Sequence, residues 1–203
     1  LKIIAIGRNY TEHARELNNP IPTSPVIFLK PDTALLKNQS PFYIPEFSNS
    51  IEYEVEIVVK ISKEGKHIQP SLAKNYYDEI SLGIDFTARD IQKTLKEKGL
   101  PWELAKGFDH SAPIGEFVNK SHFENIQNIP FGLKKNGEWV QKGNSSEMIF
   151  TIDALISYVS ARITLKKGDL IMTGTPAGVG PVQIGDLLEA YLDKDLVLST
   201  PIK

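Results

Sequence analysis

The sequence predicts a β-rich α+β fold, and three observations carry that reading. Short stretches of β-branched and aromatic residues recur along the chain, bounded by Gly, Pro and Asn. Residues 51–61 alternate with a period of two, Tyr53, Val55 and Ile57 being interleaved with Glu52, Glu54 and Glu56. Helical periodicity is confined to a few segments; the most apolar is 152–163, where Leu155, Ile156, Val159 and Ile163 share a side.

Taken in order, residues 2–6 predict a short strand ending at Gly7. Asn9 followed three residues later by Glu12 resembles a capping box, and Thr11 offers a second cap, so a short helix is expected over 10–17. Three prolines make 18–25 a loop, and 25–30 reads as a strand with Lys30 at its end before Pro31. Residues 31–50, rich in Pro, Ser and Asn, form a long connection of the kind that wraps over a site. The alternating strand 51–61 comes next, with a turn at 63–66, a helical turn within 71–77 and a strand at 80–84. Thr87 and Asp90 mark a helix start, and Gly99 and Pro101 mark its end. Strands at 130–134 and 138–141 flank Asn136-Gly137, the strongest short hairpin signal. The helix of 152–163 packs on the core, and a buried strand at 170–173 runs into a glycine-rich loop at 174–180. Strands over 186–191 and 196–201 finish the chain. Without repeats, low-complexity tracts or internal linkers, residues 1–203 are expected to form one catalytic-sized domain, its first 50 residues including a helix and the wrapping connection.

Composition narrows the functional classes. A length of 203 residues supports a real core, and 41% apolar with 24% charged residues is ordinary for a water-soluble domain. A net charge of −2 and a pI near 6.1 give no electrostatic case for nucleic acid or an anionic membrane. The absence of cysteine excludes disulfides, thiolate zinc sites and thiol nucleophiles, and it fits a reducing cytoplasm, the expected location. No apolar run approaches the roughly 20 residues of a membrane span. The opening residues 1–7 are too short and too soon followed by polar residues for a signal peptide, and a first residue other than Met suggests processing.

Several residue groups could carry chemistry. On a strand, Glu52, Glu54 and Glu56 face one side, which makes either a solvated polar face or a site where carboxylates share a hard divalent cation. Asp85 lies at a strand-to-helix junction, as a cap or as a further ligand. Arg89 and Gln92 are one helical turn apart, and so are His13 and Glu16. A His–Glu pair is a surface ion pair or a dyad in which the carboxylate orients the imidazole. Lys106, flanked by apolar and small residues, is a snorkelling side chain or, beside a metal and a 2-oxo acid, an enolate stabiliser. The loop of 174–180 offers backbone N–H groups and hydroxyls suited to an anion such as a carboxylate, although no Lys-Ser/Thr follows to make it a phosphate loop.

Together these stretches resemble the fumarylacetoacetate hydrolase superfamily, most closely its small single-domain acylpyruvase and oxaloacetate decarboxylase branch. The resemblance runs from Gly7-Arg-Asn-Tyr10 to Gly174-Thr-Pro-Ala-Gly-Val-Gly-Pro181. Its most specific parts are Glu54-Val-Glu56, Asp85-Phe-Thr-Ala-Arg-Asp90, Leu100-Pro-Trp-Glu-Leu-Ala-Lys106 and the glycine loop, whose order and spacing together are distinctive. It implies a mixed β-sandwich roll, a homodimer, and Mg²⁺ or Mn²⁺ held by Glu54, Glu56 and Asp85, with Glu52 outside the motif. It further implies that Lys106 holds the substrate near the metal, that Arg89, Gln92 and Thr175 grip an oxo-acid carboxylate, and that His13 with Glu16 is a dyad on a mobile lid. One departure is visible: Ile84 stands where many relatives carry Asn before the metal-binding Asp, which disfavours substrates of aromatic degradation.

The chemistry so implied is coherent. A small 2-oxo acid would chelate the metal, the metal would stabilise the enolate formed when the C3–C4 bond breaks, and His13 with Glu16 would activate water against the distal carbonyl of an acylpyruvate. Oxaloacetate would pass through the same enolate after loss of CO₂. The first expectation is therefore C–C hydrolysis of small acylpyruvates with oxaloacetate decarboxylation as a companion. Isomerase or tautomerase action on an oxo-diacid is the second, and a non-catalytic domain holding a structural ion the third.

Overall fold

Alternate residues of β1 (Ile3–Gly7) enter two cores: Ile4 and Ile6 pack on one face, Ile3 and Ala5 on the other, as the two-residue period of a strand requires. The strand lies inside a six-stranded sheet of order β2 (Val26–Lys30), β1, β12 (Leu170–Met172), β5 (Val55–Ile61), β6 (Tyr77–Ile84) and β9 (Val118–Asn119). β1 and β12 are parallel and the other ladders antiparallel. The structure is a computed structural model and describes residues 1–16, 20–37 and 40–203. An antiparallel sheet of order β11 (Glu138–Asn144), β10 (Pro130–Lys135), β14 (Leu187–Leu192) and β15 (Asp195–Pro201) faces the first, with β14 and β15 against β6. Ile57, Val59 and Leu82 from one sheet and Phe131, Leu133 and Leu188 from the other share the main core, so the two inner faces make a sandwich. The smaller core covers the outer face of the first sheet, where Val58 and Met172 join Phe28, Ala112 and Ile114. Two short ladders flank this body: β13 (Gly180–Pro181), β4 (Ile51–Tyr53) and β7 (Thr87–Ala88) in one, β3 (Leu35–Leu36) and β8 (Ala112–Pro113) in the other.

The helices are short: α1 (Thr11–Glu16), α2 (Pro70–Ala73), α3 (Arg89–Glu97), α4 (Glu103–Lys106) and α5 (Ile152–Ser160). Among the described residues no helix is long and apolar enough to cross a membrane. The strand-rich α+β fold expected from the pattern is the fold observed. The hairpin is also where the Asn-Gly pair placed it, with Asn136 and Gly137 both at positive φ (53° and 85°), the conformation of a type I′ turn.

Three local expectations are corrected. Residues 51–61 form two strands in different sheets, with Glu54 between them. Asn9 does not cap α1; its buried amide donates to Phe150 O and Thr173 O and accepts from Phe150 N–H. Thr87 does not cap α3 but belongs to β7, and Ala88 precedes the helix with no side-chain cap. The expected helix end at Leu17, the start of the following loop at Asn18 and Asn19, and Asn38 and Gln39 of the long connection lie outside the described residues. That connection is tied to α3 by Asp90, which accepts from Ser48 Oγ at 2.6 Å and from Asn49 N–H at 2.9 Å.

Candidate active site

The site is built where the chain changes sheets. β4 pairs in the small ladder and β5 in the large sheet, so the backbone must swing at Glu54. A buried side chain takes over the hydrogen bonding that a continuous ladder would supply. Gln141 Oε1 accepts the Val55 N–H at 2.9 Å, while its Nε2 donates to Thr175 Oγ1 at 2.8 Å and Pro176 O at 2.9 Å. The β5–β6 register sets Val55 opposite Ile84 and Glu56 opposite Gly83. Asp85 therefore arrives beside Glu54, and its N–H donates to Glu54 O at 2.8 Å.

Glu54, Glu56 and Asp85 each place one carboxylate oxygen within 4.8 Å of the others. They are 5%, 2% and 1% exposed, which rules out the solvated polar face. Glu52 leaves this group and accepts from Arg89 Nε at 2.6 Å. Three cations surround the cluster. Lys106 Nζ donates to Glu54 Oε2 at 2.8 Å, Asp85 Oδ2 at 2.7 Å and Thr87 Oγ1 at 2.5 Å. Arg89 donates from Nη2 to Glu54 Oε1 at 2.5 Å and from Nη1 to Gln92 Oε1 at 2.6 Å. Lys30, at the end of β2 and wholly buried, lies 2.6 Å from Asp85 Oδ1 and donates to Ser111 Oγ and to the carbonyls of Ser111 and Lys106.

The electrostatics follow from this crowding. Burial raises the Glu56 carboxyl and repulsion from Asp85 and Glu54 raises it further, so it sits well above the ordinary range. Burial acts the same way on Glu54, but the charges of Lys106, Arg89 and His13 outweigh it and hold that carboxyl low. Burial would lower Lys106, yet Asp85 and Glu54 prevail and raise it, so it stays an ammonium. At Lys30 burial prevails over Asp85 and lowers the amine. The donor set is three carboxylate oxygens, Glu56 is repelled by both neighbours, and buried Asp85 Oδ1 accepts no hydrogen bond despite the nearby Lys30. These residues fit a hard divalent cation such as Mg²⁺ or Mn²⁺.

His13, Arg89, Gln92, Lys106, Thr175 and the three carboxylates line one cleft. His13 is buried in α1, and its Nδ1 lies 3.3 Å from Glu16 Oε2. Glu16 sits behind His13 and accepts the Gly178 N–H at 3.1 and 3.2 Å. Gly174 N–H donates to Glu56 Oε2 at 2.8 Å. The glycine loop, expected to hold a carboxylate, thus holds two that belong to the protein. Sequence reasoning missed Lys30 and Gln141. The only available signal for Lys30 was a lone cation closing an apolar strand, and Gln141 had none.

The fold and the carboxylate cluster agree with the comparisons to known proteins. The family model described as "Fumarylacetoacetate (FAA) hydrolase C-terminal" matches residues 2–202, and the chain belongs to the fumarylacetoacetate hydrolase family. Among its relatives, "Oxaloacetate tautomerase FAHD1, mitochondrial" of Mus musculus is 44% identical over 191 residues, 94% of this chain and 86% of that protein. "Oxaloacetate decarboxylase, mitochondrial" of Dictyostelium discoideum is 43% identical over 199 residues, 96% of this chain and 91% of that one. The crystal structure of fumarylpyruvate hydrolase from Pseudomonas aeruginosa in complex with Mn²⁺ and pyruvate superposes with a TM-score of 0.93 at 32% identity, covering 100% of this chain and 89% of that one.

Proposed function

We propose that this family enzyme acts on a small 2-oxo acid of the oxaloacetate type, moving a proton between its keto and enol forms. The observation that carries the reading is the buried Glu54–Glu56–Asp85 cluster with Lys106 bridging two of its members, in a cleft that also contains His13. Two relatives above 40% identity are named for oxaloacetate, which supports this order of readings over the one taken from sequence alone. Glu54, Glu56 and Asp85 would hold Mg²⁺ or Mn²⁺, whose Lewis acidity, when it is bound, offsets the charge that develops on the 2-oxo oxygen. A carboxylate at Glu16 favours the His13 tautomer with the proton on Nδ1, leaving Nε2 to take the C3 proton and return it. Lys106 Nζ, donating to Glu54 and Asp85, is placed to steady negative charge. Gln92 Nε2, Thr175 Oγ1 and the Arg89 N–H groups left over from Glu52, Glu54 and Gln92 would position the substrate carboxylate.

The second reading is C–C hydrolysis of acylpyruvates to pyruvate and a carboxylic acid, favoured by the oriented His13–Glu16 pair, which could equally activate water. Decarboxylation of oxaloacetate lies between the two, with His13 protonating the resulting enol. The test follows decay of enol-oxaloacetate and release of pyruvate in parallel, with and without Mg²⁺ or Mn²⁺, on the wild type and on His13→Ala. Metal-dependent enol decay without matching pyruvate supports the tautomerase, and one pyruvate per oxaloacetate the decarboxylase. Pyruvate from acetylpyruvate supports the hydrolase. None of these from folded, metal-loaded protein would sink the oxo-acid reading.

The assembly we propose is a homodimer, for which exposed Leu29 on β2 and Leu104 on the adjoining α4 offer apolar surface; sedimentation of the protein and of Leu104→Glu tests it. A reducing compartment suits the cysteine-free chain. Cytoplasm is one, and the names of the mouse and Dictyostelium relatives point to the mitochondrion as another.

A further inference from the structure

Arg8 occupies a position that local chemistry does not favour. Its φ is 61°, in the left-handed region where a Cβ crowds the backbone. Such conformations persist where the surroundings over-determine them, and they concentrate at functional sites. Here the surroundings are firm: Gly7 ends β1, and the buried Asn9 is fastened to Phe150 and Thr173 by three hydrogen bonds. Arg8 itself lines the cleft, its guanidinium 5.7 Å from the centroid of the Trp102 ring. Among the described residues that guanidinium makes no hydrogen bond and no ion pair. Arg89 differs, because Glu52, Glu54 and Gln92 already take its Nε, Nη2 and Nη1. Lys96 lines the same cleft. Its amine is pushed down by burial and then by the positive charges of Arg8 and Arg89, which places the two side chains in one electrostatic neighbourhood.

Two cations crowded in a cleft wall, one of them with its donors uncommitted, form a receptor for an anion. An arginine stacked on an indole still has its N–H edge for a planar, bidentate acceptor, which a carboxylate matches and a ketone does not. We propose that Arg8, with Lys96 beside it, receives the distal carboxylate of the substrate, so that the cleft selects 2-oxo dicarboxylates over 2-oxo acids with a neutral distal end. The proposal rests on the 2-oxo-acid reading of the carboxylate cluster.

The experiment is a calorimetric titration of Mg²⁺-loaded protein with two ligands that cannot be tautomerised, with CO₂ release from the second followed as a control. Oxalate has a metal-chelating end but no distal carboxylate; 3,3-difluoro-oxaloacetate has both and cannot enolise. Wild type, Arg8→Gln and Arg8→Gly are compared. Both variants should bind difluoro-oxaloacetate roughly 10- to 100-fold more weakly, the worth of a charge-assisted bidentate contact. Oxalate affinity should stay within roughly threefold, as for a charge that touches no part of it. Arg8→Gly should melt at or above the wild-type temperature, because glycine adopts this φ freely. Equal losses for both ligands, or none for difluoro-oxaloacetate, would overturn the assignment while leaving the oxo-acid reading intact. Failure of the wild type to bind either ligand in a metal-dependent way would overturn both.

Discussion

Glu56 illustrates how a single residue stores a functional tension. Its carboxyl is buried between two others, and its pKa lies above the ordinary value of 4.5. A group raised on folding contributes stability that is complete below about pH 4.5 and is lost as pH rises through the folded value. At neutral pH without cations it therefore works against the fold. Glu56→Gln should raise the melting temperature of chelator-treated protein, corresponding to about 1–3 kcal/mol, and should abolish the further rise that Mg²⁺ gives the wild type. Thermal melts with and without Mg²⁺ check both halves, and a lower melting temperature in chelator would contradict the first. Lys106 carries the opposite charge to the same place. Lys106→Met keeps the volume and removes the ammonium that Glu54, Asp85 and Thr87 share. Its kcat/KM for the substrate at saturating Mg²⁺ should fall by about 10²–10³-fold, as for other lost electrostatic stabilisers.

At the scale of elements, the glycine loop and α1 depend on each other. Six residues are too few for a helix to persist by its own hydrogen bonds, so α1 needs tertiary anchors. One is Tyr10, bridged to Met148; another is Glu16, which accepts the Gly178 N–H. Gly178 can offer that N–H because its φ is 99° and because a Cβ would run into the carbonyl oxygen of Val140. Gly178→Ala should cost about 2 kcal/mol or more in denaturant unfolding. It should also lower turnover by roughly tenfold through loss of the proposed dyad's orientation. A variant with unchanged stability and turnover would show that α1 is held elsewhere.

At the scale of the molecule, the first strand is tied to residues far along the chain. Asp169, 2% exposed, accepts the Lys2 N–H at 3.0 Å and the Lys166 N–H at 2.7 Å and pairs with Lys2 Nζ, just before β12 pairs with β1. Burial raises its pKa, but the hydrogen bonds from Lys2 and Lys166 outweigh that and lower it. A lowered carboxyl contributes stability above its ordinary value near 3.8, and that stability is lost as pH falls through the folded value. Asp169→Asn should therefore cost about 1–2 kcal/mol at pH 7, and the gap to wild type should narrow toward pH 3. Urea titrations at the two pH values measure it. A gap that widened in acid would reverse the sign assigned to this residue.

What the sequence determined by itself is what short-range physics encodes. Alternation at residues 51–61 announced extended chain, Asn136-Gly137 announced the hairpin, and apolar spacing announced α5, because strand and helix periods are properties of neighbouring residues. The order and spacing of Glu54-Val-Glu56, Asp85-Phe-Thr-Ala-Arg-Asp90, Leu100-Pro-Trp-Glu-Leu-Ala-Lys106 and the glycine loop were enough to suggest a family and hence a candidate site. Local rules also misled: Asn9 and Thr87 looked like caps, yet distant carbonyls and Lys106 claimed their side chains. The family resemblance had set Glu52 outside the motif, but the tertiary structure supplied the physical reason: a uniform strand would keep all three glutamates on one face, and the change of sheets at Glu54 sends Glu52 to Arg89. It also decided that Lys30, 55 residues before Asp85, lies 2.6 Å from that carboxylate, and that Gln141 holds the Val55 backbone. Those contacts join residues far apart in the chain through β-sheet register, and register is set by the packing of whole faces rather than by any residue's neighbours.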